Sequence, residues 1–301
     1  MRLIWFLAIL CLLPVDALAW GPATHLEYGL TALAQLSLFL PWIQALLQKH
    51  PNDFLYGSVA ADITLGKKYT HYTRNCHNWQ VALDILDAAH TDRQKAFMLG
   101  YLSHLAADTV SHNFFVPFYS MKSFRTTSLR HTYWEVRMEG HADADAIALV
   151  GKFEDAHYRE NDTLLERELD RTLFSFQTNK KIFNALLALQ RTSGFRKMSQ
   201  SLCETSEWAL SDEEAQFFKS LCMTSVLDFL SNYTASYCLA ADPTGRHKIG
   251  YGREITRKLK HFSRDGHWDH SVETHFFNDL KSTFKEGLYQ PVLLPVPEDY
   301  L

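Results

Sequence analysis

The chain has 301 residues, with 30 Lys and Arg against 34 Asp and Glu and a formal net charge of −4. A mildly acidic chain with no long basic run argues against nucleic-acid binding driven by surface charge. About 280 residues remain once a leader is removed, enough to bury a large core in one domain or two closely packed ones.

The opening "MRLIWFLAILCLLPVDALAW" has one arginine, an apolar run over 3–13, Pro14, and the small-x-small pattern Ala17-Leu18-Ala19. That is the layout of a signal peptide, residues 1–19, cleaved after Ala19. The run is too short to span a bilayer comfortably, and no later stretch reads as a membrane helix, so the mature product is expected to be secreted or periplasmic. Losing Arg2 and Asp16 leaves the charge at −4. Cys76, Cys203, Cys222 and Cys238 remain in the mature chain. Four cysteines allow three pairings in an oxidising compartment, and closeness along the chain favours Cys203 with Cys222.

Residues 26–49 carry helical spacing broken at Pro41, so two helices or one broken helix are expected there. Residues 51–79, punctuated by Pro51, Gly57 and Gly66, read as loop with short turns. Helical periodicity returns over 80–89 and 92–115. "MKSFRTTSL" reads as a connector, and helices are again expected over 130–150, 166–189, 212–240 and 271–287. Alternating strand patterns are scarce, so the fold class is all-α, a multi-helix bundle. A soft boundary falls near 159–163, dividing residues 20–160 from a helical C-terminal region, 161–301, in the same or a closely packed domain.

The stretch "LGYLSHLAADTVSHNFF" sets His104, Asp108 and His112 at successive four-residue intervals, nearly one face of a helix. Leu99, Leu102, Leu105 and Ala106 supply the packing face. Such a column is a solvated stripe, a set of core histidines satisfied by nearby carbonyls, or a set of metal ligands, because imidazoles and carboxylates on helices at this interval can converge on zinc. "RHTYWEVRMEGH" repeats the interval with His131 and Glu135, although Glu139 and His141 compete with Glu135 for the role. Asp62 ends "GSVAADI" and His77 lies in "CHNW", with His71 as its competitor. Cleavage after Ala19 exposes "WGPATH", where the free amine and carbonyl of Trp20 can chelate a metal and His25 follows five residues on.

On "WGPATH", Asp62, His77, "HLAAD" with His112, and "HTYWE", residues 20–140 resemble the zinc-dependent phospholipase C family, whose fold is shared with S1/P1-type nucleases. The resemblance implies an exported helical protein with up to three zinc ions. Asp62, His77, His104 and Asp108 would hold the first, and His112, His131 and Glu135 the second. Trp20 and His25 would hold the third, with Asp108 bridging the first and third. The interval from Asp108 to His112 is shorter than the family's usual one, in which a proline often precedes that histidine. The interval from His112 to His131 is longer than in the short bacterial phospholipases.

The implied activity is hydrolysis of phospholipid to diacylglycerol and a phosphorylated head group by a metal-held hydroxide, with Asp62 as the catalytic carboxylate that orients or deprotonates water. The expected partner is a phospholipid or membrane surface. Nucleic acid is the less favoured substrate, and no segment points to a protein partner. Glu135 matches the phospholipases, whereas the nucleases typically end that motif in aspartate. The opening "WGPATH" is nearer the nucleases, so an S1/P1-type nuclease or 3′-nucleotidase is the alternative, and a non-catalytic zinc module a third. Glu27 is a candidate head-group contact. Phe114, Phe115, Phe118 and Tyr119 can form an acyl-chain rim or, the favoured reading, core. The late cluster His261, His267, His270 and His275 lacks a convergent pair and reads as exposed, uncoordinated histidines.

Overall fold

Proline opens each of the first three helices of the described residues: α1 (Pro22–Leu33), α2 (Pro41–Lys49) and α3 (Pro51–Ala60). In the first turn its missing N–H is no loss and its fixed φ suits the helix. The computed structural model describes residues 21–64, 76–126, 130–153, 155–169, 174–192, 194 and 206–301. The leader, Trp20, His71 and Cys203 lie outside them. The remaining helices among the described residues are α4 (Trp79–Asp87), α5 (Asp92–Val110), α6 (Val116–Lys122), α7 (Arg130–Glu139), α8 (Ala144–Leu149), α9 (Asp155–Glu168), α10 (Phe176–Gln190), α11 (Asp212–Asn232), α12 (Arg246–Arg264) and α13 (His270–Glu286). The described residues include no β-strand, and none of their helices is long and apolar enough to cross a membrane. The all-α expectation holds.

Side-chain caps set several of these starts. Asn78 accepts from the N–H groups of Gln80 and Val81 at α4, and Thr91 and Gln94 form a reciprocal capping box at α5. Ser211 caps α11, whose first turn carries Asp212, Glu213 and Glu214, and Asp269 caps α13.

The expectation of loop over 51–79 is corrected at its start, where α3 is almost wholly buried. Pro51 starts this helix instead of breaking it, and Gly57 serves packing instead of turning. A Cβ on Gly57 would lie 1.9 Å from the Phe97 carbonyl oxygen, and one on Gly100 would lie 2.0 Å from that of Phe54. The two glycines let α3 and α5 cross with their backbones nearly touching, and a larger residue at either position would push the helices apart.

The soft boundary near 159–163 falls inside α9. There Asn161 donates to Asp53 Oδ1 at 2.8 Å, and Asp162 accepts from Tyr56 at 2.5 Å and from Lys180 of α10. The helix α12 lies where the sequence shows no expected element. It packs on α6, with a Gly252 Cβ 3.4 Å from Pro117, and α13 adds Phe284 and Phe277 against Phe114 and Phe118. Phe114, Phe115, Phe118 and Tyr119 are buried core, so the rim reading fails.

Cys76, Cys222 and Cys238 are buried free thiols. The pairing of Cys203 with Cys222 is therefore corrected: α11 turns Cys222 inward, where its Sγ lies 3.7 Å from the Ala107 carbonyl of α5.

Candidate metal centre

Helix α5 presents His104 and Asp108 in the core, and its continuation Ser111–Phe115, a π-helical turn, presents His112. All three are buried. Pro117 has no N–H to donate to the Asn113 carbonyl, and the wider turn just before it accommodates the ring. This turn keeps His112 near Asp108, Nδ1 to Oδ2 at 3.9 Å, while aiming its Nε2 at Glu135 Oε1, 3.7 Å away. The short interval between Asp108 and His112 is accommodated by local backbone geometry.

Among the described residues three groups of potential ligands result: His25, Asp62 and His104; His77, His104 and Asp108; and His112, His131 and Glu135. In the first two, His77 Nε2 lies 3.2 Å from His104 Nε2, 3.1 Å from Asp108 Oδ2 and 3.4 Å from Asp62 Oδ1. His104 Nε2 lies 3.3 Å from Asp108 Oδ2. The His25 ring stacks on that of His104 with centroids 3.7 Å apart, and its Nε2 is 3.5 Å from Asp108 Oδ1. In the third group His131 Nε2 is 2.8 Å from Glu135 Oε1. Asp108 thus faces imidazoles from both sides of the centre.

Backbone carbonyls fix two of the rings. His104 Nδ1 is 2.9 Å from the Ser58 carbonyl and His112 Nδ1 is 2.6 Å from that of Pro243. A carbonyl only accepts, so each Nδ1 carries the proton and, in the neutral ring, each Nε2 keeps its lone pair for the centre. The Gly57–Gly100 crossing is what brings Ser58 within reach of His104.

Burial would push the Asp108 carboxyl up, but His104 and His112 outweigh it and hold it well below the usual carboxylate range. Burial, then His104, pushes His25 well below the ordinary histidine value. Burial also lowers His112, but Asp108 and Glu135 prevail and raise it.

The residues fit zinc on their own evidence. Both Asp108 carboxylate oxygens, His25 Nε2 and Glu135 Oε2 are buried with no hydrogen bond of good geometry, the nearest approach to Asp108 being His77 Nε2 and His104 Nε2 at 3.1 and 3.3 Å. Such orphaned atoms are costly and rare unless something else satisfies them. A divalent cation among imidazole nitrogens and carboxylate oxygens would do so, and that donor set suits zinc.

The competitors for Glu135 have other work. Glu139 accepts from the Ala23 N–H at 2.8 Å, the Thr24 N–H at 3.0 Å and the Thr24 hydroxyl at 2.8 Å, capping α1 from the far end of α7. A Cβ on Gly21 would collide with its carboxylate at 2.1 Å. Helix α7 therefore carries two candidate ligands of one group and clamps the helix that carries His25. His141 pairs with Asp212 at 3.0 Å. Glu27 pairs with Lys219 at 2.7 Å and accepts from the Asp143 N–H. His261 and His275 are exposed, each beside an aspartate four residues on.

The model of the family described as zinc-dependent phospholipase C matches residues 24–187, more than half of the chain. No curated protein and no solved structure matches.

Proposed function

Because this chain belongs to the zinc-dependent phospholipase C family, we propose that it is an exported phosphodiester hydrolase that cleaves phospholipid to diacylglycerol and a phosphorylated head group. The observation that carries this reading is the gathering of His25, Asp62, His77, His104 and Asp108 beside His112, His131 and Glu135, with buried carboxylate oxygens left for a cation.

In this reading Asp62, His77, His104 and Asp108 would hold one zinc and His112, His131 and Glu135 another. Trp20, its amine freed by cleavage after Ala19, would hold a third with His25 and Asp108. Bound zinc supplies positive charge and Lewis acidity toward an anionic phosphodiester. The protein's part is to orient its ligands and handle protons. Ser58 and Pro243 hold the protons of His104 and His112 on Nδ1. Asp62, less deeply buried than Asp108, orients the attacking water and takes its proton. The water oxygen bonds to phosphorus, the phosphorus–oxygen bond to glycerol breaks, and the proton taken up by Asp62 passes to the departing oxygen, which leaves as the diacylglycerol hydroxyl. Glu135 and the net charge of −4 favour a lipid over a nucleic acid.

The test is to incubate the zinc-loaded mature protein with phosphatidylcholine vesicles, a chromogenic phosphocholine ester and single-stranded DNA. Diacylglycerol release is expected. Cleavage of DNA alone would establish the nuclease alternative, and retained zinc without cleavage of any substrate would leave a binding module. Mass analysis of the secreted N-terminus should find Trp20 first. One extra residue before it should lower the zinc content, since the chelating amine becomes an amide; unchanged content would remove Trp20 from the site.

A further inference from the structure

His112, which begins the third group of candidate ligands, is held by a part of the chain beyond the matched span of 24–187. His112 Nδ1 donates to the Pro243 carbonyl at 2.6 Å. Its neighbour Asn113 donates to the Asp242 carbonyl at 2.7 Å and to the Thr109 carbonyl at 2.9 Å. Gly245 has φ +57°, and a Cβ there would lie 2.1 Å from the His112 carbonyl oxygen and 2.5 Å from its Cβ. Only glycine meets both demands, a left-handed backbone and contact with another backbone.

The loop 242–245 is also braced from within and from the other group. The Asp242 carboxylate accepts from the Thr244 N–H at 3.0 Å and its hydroxyl at 2.6 Å, and the Gly245 N–H closes the turn on the Asp242 carbonyl at 3.0 Å. One residue earlier, the Ala241 carbonyl accepts from Trp79 Nε1 at 2.8 Å. Trp79 follows His77 by two positions, so one short segment touches the chain on both sides of the centre.

We infer that the loop 242–245 is a positioning element of the metal centre, fixing the tautomer and ring direction of His112 through the Pro243 carbonyl and the contact of Gly245. The inference rests on the proposed zinc chemistry for its consequence but not for its geometry. Partners of this kind set which nitrogen faces the metal, and their loss lowers metal affinity by about 10–100-fold.

The experiment compares wild type, Gly245→Ala and Gly250→Ala as full-length mature protein. A Cβ on Gly250 meets nothing within 4 Å, so that variant controls for a glycine change in the same region. Long-range proton–nitrogen spectra of histidine-labelled protein report each ring. In Gly245→Ala the His112 signals should shift while those of His104, held by Ser58, stay. Zinc retention against a graded chelator should fall by about 10–100-fold for part of the bound metal only, and Gly250→Ala should match wild type. Unchanged His112 signals with unchanged zinc retention overturn the inference. If Gly245→Ala does not fold, Asp242→Ala, which removes the brace on Thr244 and leaves the backbone intact, is read by the same two measurements and the same criteria. If wild type binds no zinc, the functional reading fails, while the His112 spectra still decide the positioning role.

Discussion

Asp108 is the side chain on which the two halves of the centre meet, since its oxygens face His25, His77, His104 and His112. Asp108→Asn keeps the shape and removes the charge. It is expected to lower activity by more than about a hundredfold, beyond the cost of losing an outer partner, and to lower zinc per chain. Elemental analysis and lipid hydrolysis check it, and near-normal values for both would remove the bridging role. A second residue-scale prediction concerns pH. In the metal-free protein His25 is held well below its ordinary value by burial and then by His104. The unfolded chain takes up a proton near pH 6.5 that the folded chain resists, so this stability is intact above about pH 6.5 and is lost as pH falls below it. Asp108, held low because its imidazole neighbours outweigh burial, loses its contribution only as pH falls below about 4. His112, lowered by burial but raised more by Asp108 and Glu135, contributes fully below about pH 6.5 and loses that contribution as pH rises through its own raised value. The melting temperature of metal-free protein should therefore drop between about pH 6.5 and 5. His25→Gln should flatten that limb; an identical slope in the variant would contradict the assignment.

At the scale of elements, two contacts register the helices that carry ligands. Gly57 and Gly100 set the crossing of α3 with α5, and with it the bond from His104 to Ser58. Gly57→Ala adds a methyl where a backbone oxygen already sits. It should destabilise by at least about 1–3 kcal/mol, measured by denaturant unfolding, and should disturb the His104 ring signals. Glu139 sets α1 against α7. In Glu139→Gln an amide nitrogen replaces one of two oxygens that both accept, so one donor on Ala23 or Thr24 loses its partner at a cost of about 1–3 kcal/mol. Faster hydrogen exchange at those two amides would register the loss, and unaltered exchange would deny the clamp its role. Much of this level was legible beforehand. The breaks at Pro41 and the helices over 80–89 and 92–115 follow from period and capping chemistry. Helix α3 departs from the loop expected there because Pro51 and Gly57 are turn signals in isolation and helix-start and packing residues in context. Nothing local distinguishes the two.

For the whole molecule, the matched span is not the whole centre. Helix α11 packs on α5 through Cys222, α12 on α6, and the loop before α12 on His112. A chain ended at residue 187 should therefore lose cooperative unfolding and expose the aromatic core around Phe114, seen as dye binding and a broadened thermal transition. A sharp transition in that fragment would show that residues 24–187 stand alone. Candidate ligands were legible as residue types because helical ligands four apart leave a local record, and Asp62, His77 and His25 were placed with them through the family resemblance. Glu139 was visible only as a rival ligand. The turn signal in Asp242-Pro243-Thr244-Gly245 was present, but its contact 131 residues away was not.

The sequence by itself determined the helical class and the column His104, Asp108 and His112, because both follow from interactions between residues three to five positions apart. The tertiary structure alone decided which carbonyl holds each imidazole proton, which glutamate faces the centre and which caps a helix, and that the far end of the chain supports His112. Those outcomes depend on how close two distant backbones approach, a quantity set by the packing of all the helices together and recorded in no short stretch of the chain.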